Sequence, residues 1–587
     1  MKDLKDILQN VQKPGRYTGG EINSIRKPFS TDAVKVAISY PDMYEIGMSY
    51  LGLKIIYHLL NDIDNVLCER VFMPAGDMIE ELRARKMKLF SLESKKDLCD
   101  FDILGFSLSY ELTYTNVLSI MDLGGLTVRS EERGEDEPLV IAGGVCSCNP
   151  EPMSEFVDAF LLGDGEELFP EFIEKFRALK KEGRLRKDIL KELSGLGGVY
   201  VPALYSVKDT GHSDLTPRPV SADIPAVVKS AKVMDLENAF YPVKQIVPYI
   251  KIVHDRIAVE IMRGCPNRCR FCQASAINRP VRIRSEKRIT DICLESYRHT
   301  GMESIALLSL SSVDYPYLAP VAKAINRDLA CKGVGLSIPS LRVDESFYEL
   351  PEIFSVVRKA GLTFAPESAD PAIVKAIAKD IDTGVLLKSV KAAFDKAWRS
   401  VKLYFMVGFP QSSETEEDGI VELSRKVSML KGSRPKDAAE VRVSVNPFIP
   451  KPHTAFQWCG MKSREDLEKK RGKLLSSSNK KVKIVFHNVN QSILEGALAR
   501  GDRRVSGAIY SAWKKGAVMD GWLEYFKYEV WEEAFKENGL CVEEMATRLF
   551  SVEDSLPWDH IDTGAGKDFL KKEFQASFVG FGSADPL

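Results

Sequence analysis

Three cysteines, Cys265, Cys269 and Cys272, stand at C-x-x-x-C-x-x-C spacing between the apolar run Ile257–Met262 and a basic segment. Thiolate is the natural protein ligand of iron–sulfur clusters, and one tight loop can turn three thiolates to the same side. Three ligands on a four-iron cube leave one iron without a protein ligand, and the amino and carboxylate groups of a methionine moiety can chelate it. The alternative is a structural zinc, which normally takes four ligands, often as two cysteine pairs. No second pair follows here, and the nearest histidines, His254 and His299, lack ligand spacing.

The elements that must hold such a loop read as repeated strand–helix units. Six strand-like runs follow one another: Ile257–Met262, Ser304–Leu310, Val334–Ile338, Leu362–Pro366, Lys402–Gly408 and Glu440–Asn446. Repeated βα units produce parallel strands and a full or partial barrel, with reactive groups at the strands' C-terminal ends. Before them, Val34–Ser39, Asp102–Ser107, Pro138–Gly144 and Ala159–Gly163 alternate with helical patterns. Alternation of that kind predicts a doubly wound parallel sheet, which binds ligands beyond the carboxyl ends of its strands. Small or polar residues stand there: Gly47, Ser107, Ser109, Gly143, Gly144 and Gly165.

The cysteine triplet, with Phe271 before its last member, resembles the radical S-adenosylmethionine (SAM) superfamily. That resemblance implies a 4Fe–4S cluster on Cys265, Cys269 and Cys272, SAM on the open iron, and reductive cleavage to a 5′-deoxyadenosyl radical. It also implies SAM contacts from Phe271, Ser309, Ser311, Ser337, Glu367 and Gly408. The stretch Ser337–Arg342 is expected near the ribose or carboxylate. The N-terminal sheet resembles the cobalamin-binding domain that precedes the barrel in a large subfamily. That domain usually carries D-x-H-x-x-G after its first strand. Here Asp42 and Gly47 match, and Tyr44 stands in place of the cobalt-ligating histidine. The likeness implies a corrinoid held by Asp42, Tyr44, Gly47, Ser107, Ser109, Gly143, Gly144 and Gly165. Without a strong lower axial ligand, cobalt would favour transfer of a methyl group. The closest likeness is to a family in that group with no assigned reaction.

The expected fold class is α/β: a cobalamin-type sheet, a (β/α)6-type partial barrel and a helical C-terminal region. The divisions are an arm at 1–30, the sheet at 31–190, a proline-rich connector at 191–249, the barrel at 250–460 and a helical end at 461–587. The expected activity is SAM-dependent radical chemistry, read as methyl transfer to an unactivated carbon. The alternatives are RNA modification or rearrangement without methyl transfer and, from another class, a cluster-bearing sensor or assembly factor. Cys68, Cys99, Cys146 and Cys148 do not form the second cysteine set of a methylthiotransferase.

Length and composition bound the rest. With 587 residues, 44% hydrophobic and 28% charged, the chain is an ordinary globular protein. A net charge of −2 gives no overall basic field for nucleic acid. Arg279, Arg282, Arg284, Lys287 and Arg288 form a local basic run that reads either as a phosphate grip or as a solvated helix start. Eleven scattered cysteines fit a reducing compartment, and no segment has the apolar length of a membrane span or signal peptide, so a cytoplasmic location is expected. The expected partners are a small-molecule or RNA substrate and an external electron donor of the flavodoxin or ferredoxin type. Trp513, Trp522 and Trp531 recur at spacings that favour a core over a substrate box. Pro557–Asp562 is expected to cap the active site.

Overall fold

A computed structural model describes residues 2–207, 214–339, 362–379, 381–395, 398, 400–432 and 438–579. The N-terminal half is built on six strands: β1 (Val34–Tyr40), β2 (Val66–Phe72), β3 (Ile103–Ser107), β4 (Leu139–Gly143), β5 (Ala159–Leu161) and β6 (Val199–Tyr200). Their order is β2-β1-β3-β4-β5-β6, parallel except that β6 runs against β5. The expected four strands are present. The sequence reading missed β2, whose seven residues are all buried, and β6. The chain leaves β1 toward one edge for β2 and returns to the other side for β3. Such a reversal opens a crevice beyond the strand ends. Register aligns Ser107 with Gly143 and Gly143 with Leu161, so the small residues form one edge.

Helices cover both faces of this sheet. Leu51–Asp62, Gly165–Lys181 and Arg186–Leu193 bury Leu53, Tyr57, Phe172 and Leu193 against one face. The other face takes Tyr114–Leu123 and, from far along the chain, Val489–Ala499 and Val505–Lys514. Hydrogen bonds fix that second layer: Met519 N–H donates to Asn116 Oδ1 (2.7 Å), and the Trp513 indole donates to Ser119 Oγ (3.1 Å). Trp458, Trp531 and Trp558 are fully buried, so these aromatics build core.

The six βα strands appear in their expected places and in two parallel groups. Ile257–Glu260, Ser304–Leu308 and Gly335–Ser337 pair in sequence order, as do Leu362–Glu367, Ser400–Val407 and Glu440–Pro447. A seventh parallel strand, Val482–Phe486, joins the second group from the stretch expected to be helical. Of the expected Ser337–Arg342 site, residues 340–342 lie outside the described residues. Among the described residues no helix is long and apolar enough to cross a membrane.

Candidate active site

The cysteine loop begins where Met262–Arg263 pairs antiparallel with Arg282–Ile283. Gly264 turns the chain at φ +85°, and a Cβ there would lie 2.6 Å from the Asn278 carbonyl oxygen, so only glycine fits. The loop is cross-braced on Asn267, whose carbonyl oxygen accepts from Ser275 Oγ (2.7 Å) and Arg279 Nη2 (2.8 Å). The Asn267 amide donates to Asp314 Oδ2 (2.7 Å) and approaches Cys265 Sγ (3.5 Å). Cys272 caps the short helix Gln273–Ile277, its sulfur accepting from Ser275 N–H (3.4 Å). Burial pushes the Cys272 thiol up, while that N–H and the Lys379 charge favour its thiolate.

The donor set fits a cluster. Three thiols share one braced loop, and N–H donors reach the sulfurs of Cys265 and Cys272.

The residues expected around SAM lie at or just after strand ends in the two parallel groups, apart from Phe271 in the cysteine loop. Phe271 meets Phe409 edge to face at 6.2 Å, and Lys379 Nζ lies 5.9 Å from the Phe271 ring centroid. Lys379 also pairs with Glu367 (3.2 Å). Glu367 ends its strand in the left-handed region (φ +67°), and burial pushes its carboxyl up against the pull of Lys379. Gly408 (φ +86°) donates its N–H to Glu416 Oε2 (3.2 Å). Ser309 bonds Ser312 (2.9 Å), whereas Ser311 is buried, its hydroxyl without a partner among the described residues. The turn from Ser311 to Asp314 reaches the cysteine loop through Asn267. Ser337 ends the third strand beside Ala306.

At the edge of the N-terminal sheet lies a cavity of about 430 Å³. Ser39, Ser107, Gly143, Gly144 and Gly165 line it from the sheet side; Glu260, Arg263, Ile277 and Asn278 line it from the cysteine-loop side. Gly144 (φ +105°) has no room for a Cβ, which would fall 2.5 Å from the Leu108 carbonyl oxygen. Ser39, Ser230 and Thr563 are in the cavity lining, and their buried hydroxyls have no hydrogen-bond partner among the described residues. Buried hydroxyls are normally paired, so their orphaned state marks a place for a polar-edged ligand. Apolar walls from Ile38, Ile56, Phe106 and Phe169 suit an organic body.

Four residues expected to hold a corrinoid do not line this cavity. The Tyr44 hydroxyl donates to Glu21 Oε1 (2.8 Å) inside a sealed ion cluster with Arg70. Asp42 accepts from the Trp522 indole (3.0 Å) and from Met43 N–H (2.7 Å), and burial pushes its carboxyl up. A Cβ on Gly47 would strike the Phe72 ring at 2.2 Å, so this glycine serves packing. Ser109 lies beside Tyr40, also outside the lining.

Two connections missed in the sequence join the loop to the cavity. Arg263, directly before Gly264, pairs with Glu166 (2.5 Å) and Asp164 (3.3 Å) of the sheet edge and with Glu260 (2.8 Å). Gln273, directly after Cys272, donates to Cys148 Sγ (3.1 Å), itself in the cavity lining. Position beside the motif was the one signal for either residue. Of the basic run, Arg282 pairs with Asp164 (2.5 Å), and Arg284 is buried on the Tyr241 ring. Those two are structural. The stretch from Pro557 reaches the cavity through Ile561 and Thr563.

Known proteins share parts of this chain. The model for the N-terminal part of radical SAM proteins matches residues 52–202. The model for the radical SAM superfamily matches residues 259–423, which include all three cysteines. The chain carries radical SAM domains. The superfamily uses SAM and a 4Fe–4S cluster. An uncharacterized protein of Methanocaldococcus jannaschii is 27% identical over 510 residues, spanning 85% of this chain and 98% of its own length. Among solved structures, the radical SAM methyltransferase TsrM from Kitasatospora setae, with cobalamin and a 4Fe–4S cluster bound, aligns with a TM-score of 0.48. It is 12% identical and covers 70% of this chain and 75% of its own. A radical SAM methyltransferase from Sphaerobacter thermophilus gives a TM-score of 0.29 at 14% identity, covering 53% and 85%.

Proposed function

We propose that this radical SAM protein is a cobalamin-dependent methyltransferase acting on an unactivated carbon. The observation that carries the reading is the cavity between the sheet edge and the cysteine loop, with wall residues from both sides and orphaned hydroxyls. In this reading Cys265, Cys269 and Cys272 hold the cluster. Phe271, Ser309, Ser311, Ser337, Glu367 and Gly408 orient SAM. Ser107, Gly143, Gly144 and Gly165 admit the corrinoid. When bound, the cluster and SAM supply the radical, and cobalamin supplies the methyl group. The chain's own part is positional. Glu367 offers a largely enclosed carboxylate, its side chain 14% exposed, to SAM's ammonium or ribose hydroxyls, and Ser311 offers a hydroxyl unpartnered among the described residues. Arg263 holds the cavity wall against the strand that leads into the cysteine loop. The electron comes from an external donor of the flavodoxin or ferredoxin type in a reducing cytoplasm.

Anaerobically reconstituted protein tests this. Methyl transfer requires corrinoid to copurify or bind, and S-adenosylhomocysteine to accumulate beside 5′-deoxyadenosine. 5′-Deoxyadenosine alone points to radical chemistry without methyl transfer. The variant Cys269→Ala should lose the cluster's visible absorbance and all SAM cleavage. Cleavage at the wild-type rate in that variant would refute the ligand assignment.

A further inference from the structure

A second hollow, a groove of about 530 Å³, shares the wall residues Ser230, Lys232 and Thr563 with the sheet-edge cavity and includes Cys265 in its lining. Its charge departs from that of the whole chain. Lys229, Lys232, Arg268 and Arg279 line it against one carboxylate, Asp562, in a protein whose net charge is −2. Lys232 donates to the Ile277 carbonyl oxygen and Arg279 to that of Asn267, so both are held in place by backbone. Lys229 and Arg268 are exposed, and among the described residues no carboxylate pairs with either. Asp562 is turned toward its own chain, accepting from Gly564 N–H (2.8 Å). Thr563 is 3% exposed, and among the described residues neither its hydroxyl nor that of Ser230 has a partner.

We propose that this groove binds the phosphate group of a small anionic molecule. Fixed and free cations together with unpartnered hydroxyl donors are what a phosphate requires, each bond to it being charge-assisted. Concavity favours a small ligand over a nucleic-acid or protein surface, which would leave the buried Thr563 hydroxyl unfilled. Because Cys265 is in the lining, a phosphate here sits beside the cluster-binding loop. The inference deepens the proposed function, resting on that reading for the role of Cys265 and not for the binding itself.

The test is titration calorimetry of the full chain with inorganic pyrophosphate, with and without reconstituted cluster, against sodium chloride of matched ionic strength. Saturable binding is expected in both forms. Lys229→Glu should weaken it by about tenfold or more, the scale of one charge-assisted bond. Arg268→Gln, a neutral change of similar length, should do the same if Lys229→Glu folds poorly. Competition by cobalamin but not by cobinamide, which lacks the nucleotide phosphate, assigns the anion to the corrinoid's tail. Competition by neither assigns it to the substrate, and both results uphold the site. Unchanged affinity in both variants, an effect reproduced by sodium chloride, or binding of an RNA oligonucleotide without binding of pyrophosphate would overturn it. Failure of the radical SAM reading would look different: pyrophosphate binding intact and SAM uncleaved.

Discussion

Two arginines sit in similar chemistry at opposite sides of the N-terminal sheet. Arg70, on β2, is enclosed by Glu21 (2.7 Å) and Glu93 (2.7 Å), with every side chain 1% exposed. Arg263 gathers Asp164, Glu166 and Glu260 but stays 12% exposed, because its cluster forms part of a cavity wall. In the Arg70 cluster Tyr44 bonds Glu21, and Arg70 N–H bonds Glu93. In the cavity wall that includes Arg263, the hydroxyls of Ser39, Ser230 and Thr563 have no partner among the described residues. Residue type therefore does not distinguish scaffold from site. Whether the cluster borders a cavity does.

The comparison can be broken by substitution. Arg70→Met leaves two buried carboxylates without a cation and should cost about 3–5 kcal/mol, read as a lower denaturation midpoint. Arg263→Met, in a wetter place, should cost about 1–3 kcal/mol and should in addition abolish corrinoid binding. Equal stability losses with corrinoid retained would erase the distinction between the two clusters.

Asp520 sharpens the sealed side. It accepts from the Trp531 indole (3.1 Å) and from Thr115 Oγ1 (2.8 Å), and burial pushes its carboxyl up to about 6. A carboxyl raised on folding is most favourable when protonated, so its contribution is complete below about pH 4 and is lost as pH rises through about 6. Asp520→Asn should therefore be more stable than the parent at pH 7 by about 2–3 kcal/mol, with the gap closing toward pH 4. A gap independent of pH would sink the assignment.

Glycines give a matched pair. Gly144→Ala and Gly47→Ala each force a Cβ into a close contact and should each cost about 1–3 kcal/mol. Only the first should reduce corrinoid binding, measured by absorbance after desalting. Tyr44→Phe should be mildest, losing about 1 kcal/mol for one hydrogen bond and leaving corrinoid content unchanged. Loss of corrinoid in Tyr44→Phe would restore Tyr44 to the site.

Much of this architecture can be read from local text. Strands ending in glycine and serine announced the sheet edge, and the cysteine spacing announced the loop, because both depend on residues close together in sequence. Partners far apart were illegible. Tyr44 looked like a ligand substitute because Glu21 and Arg70 complete its surroundings from other segments. Trp522 reaches Asp42 across 480 positions. Strand β2 escaped notice because Glu69 and Arg70 interrupt its apolar run. Both are 1% exposed and fully engaged, Glu69 with Ser91 and Ser94. Charge in the middle of a strand normally argues for exposure, and here folding overrides that by supplying counter-charges to Arg70 and hydroxyl donors to Glu69. Val482–Phe486 was missed because Lys483 interrupts its apolar run, a charge that suits an edge strand.

The pairing of Ile561–Asp562 with Val228–Lys229 has a consequence for biogenesis. Ile561 and Thr563 complete the wall of the cavity, yet they are translated some three hundred residues after the motif they shelter. A nascent polypeptide with its cysteines already outside the ribosome thus lacks both the Asp314 carboxylate that braces the loop and the last wall of the chamber. Any guest of the chamber is enclosed only once this late stretch has emerged and docked.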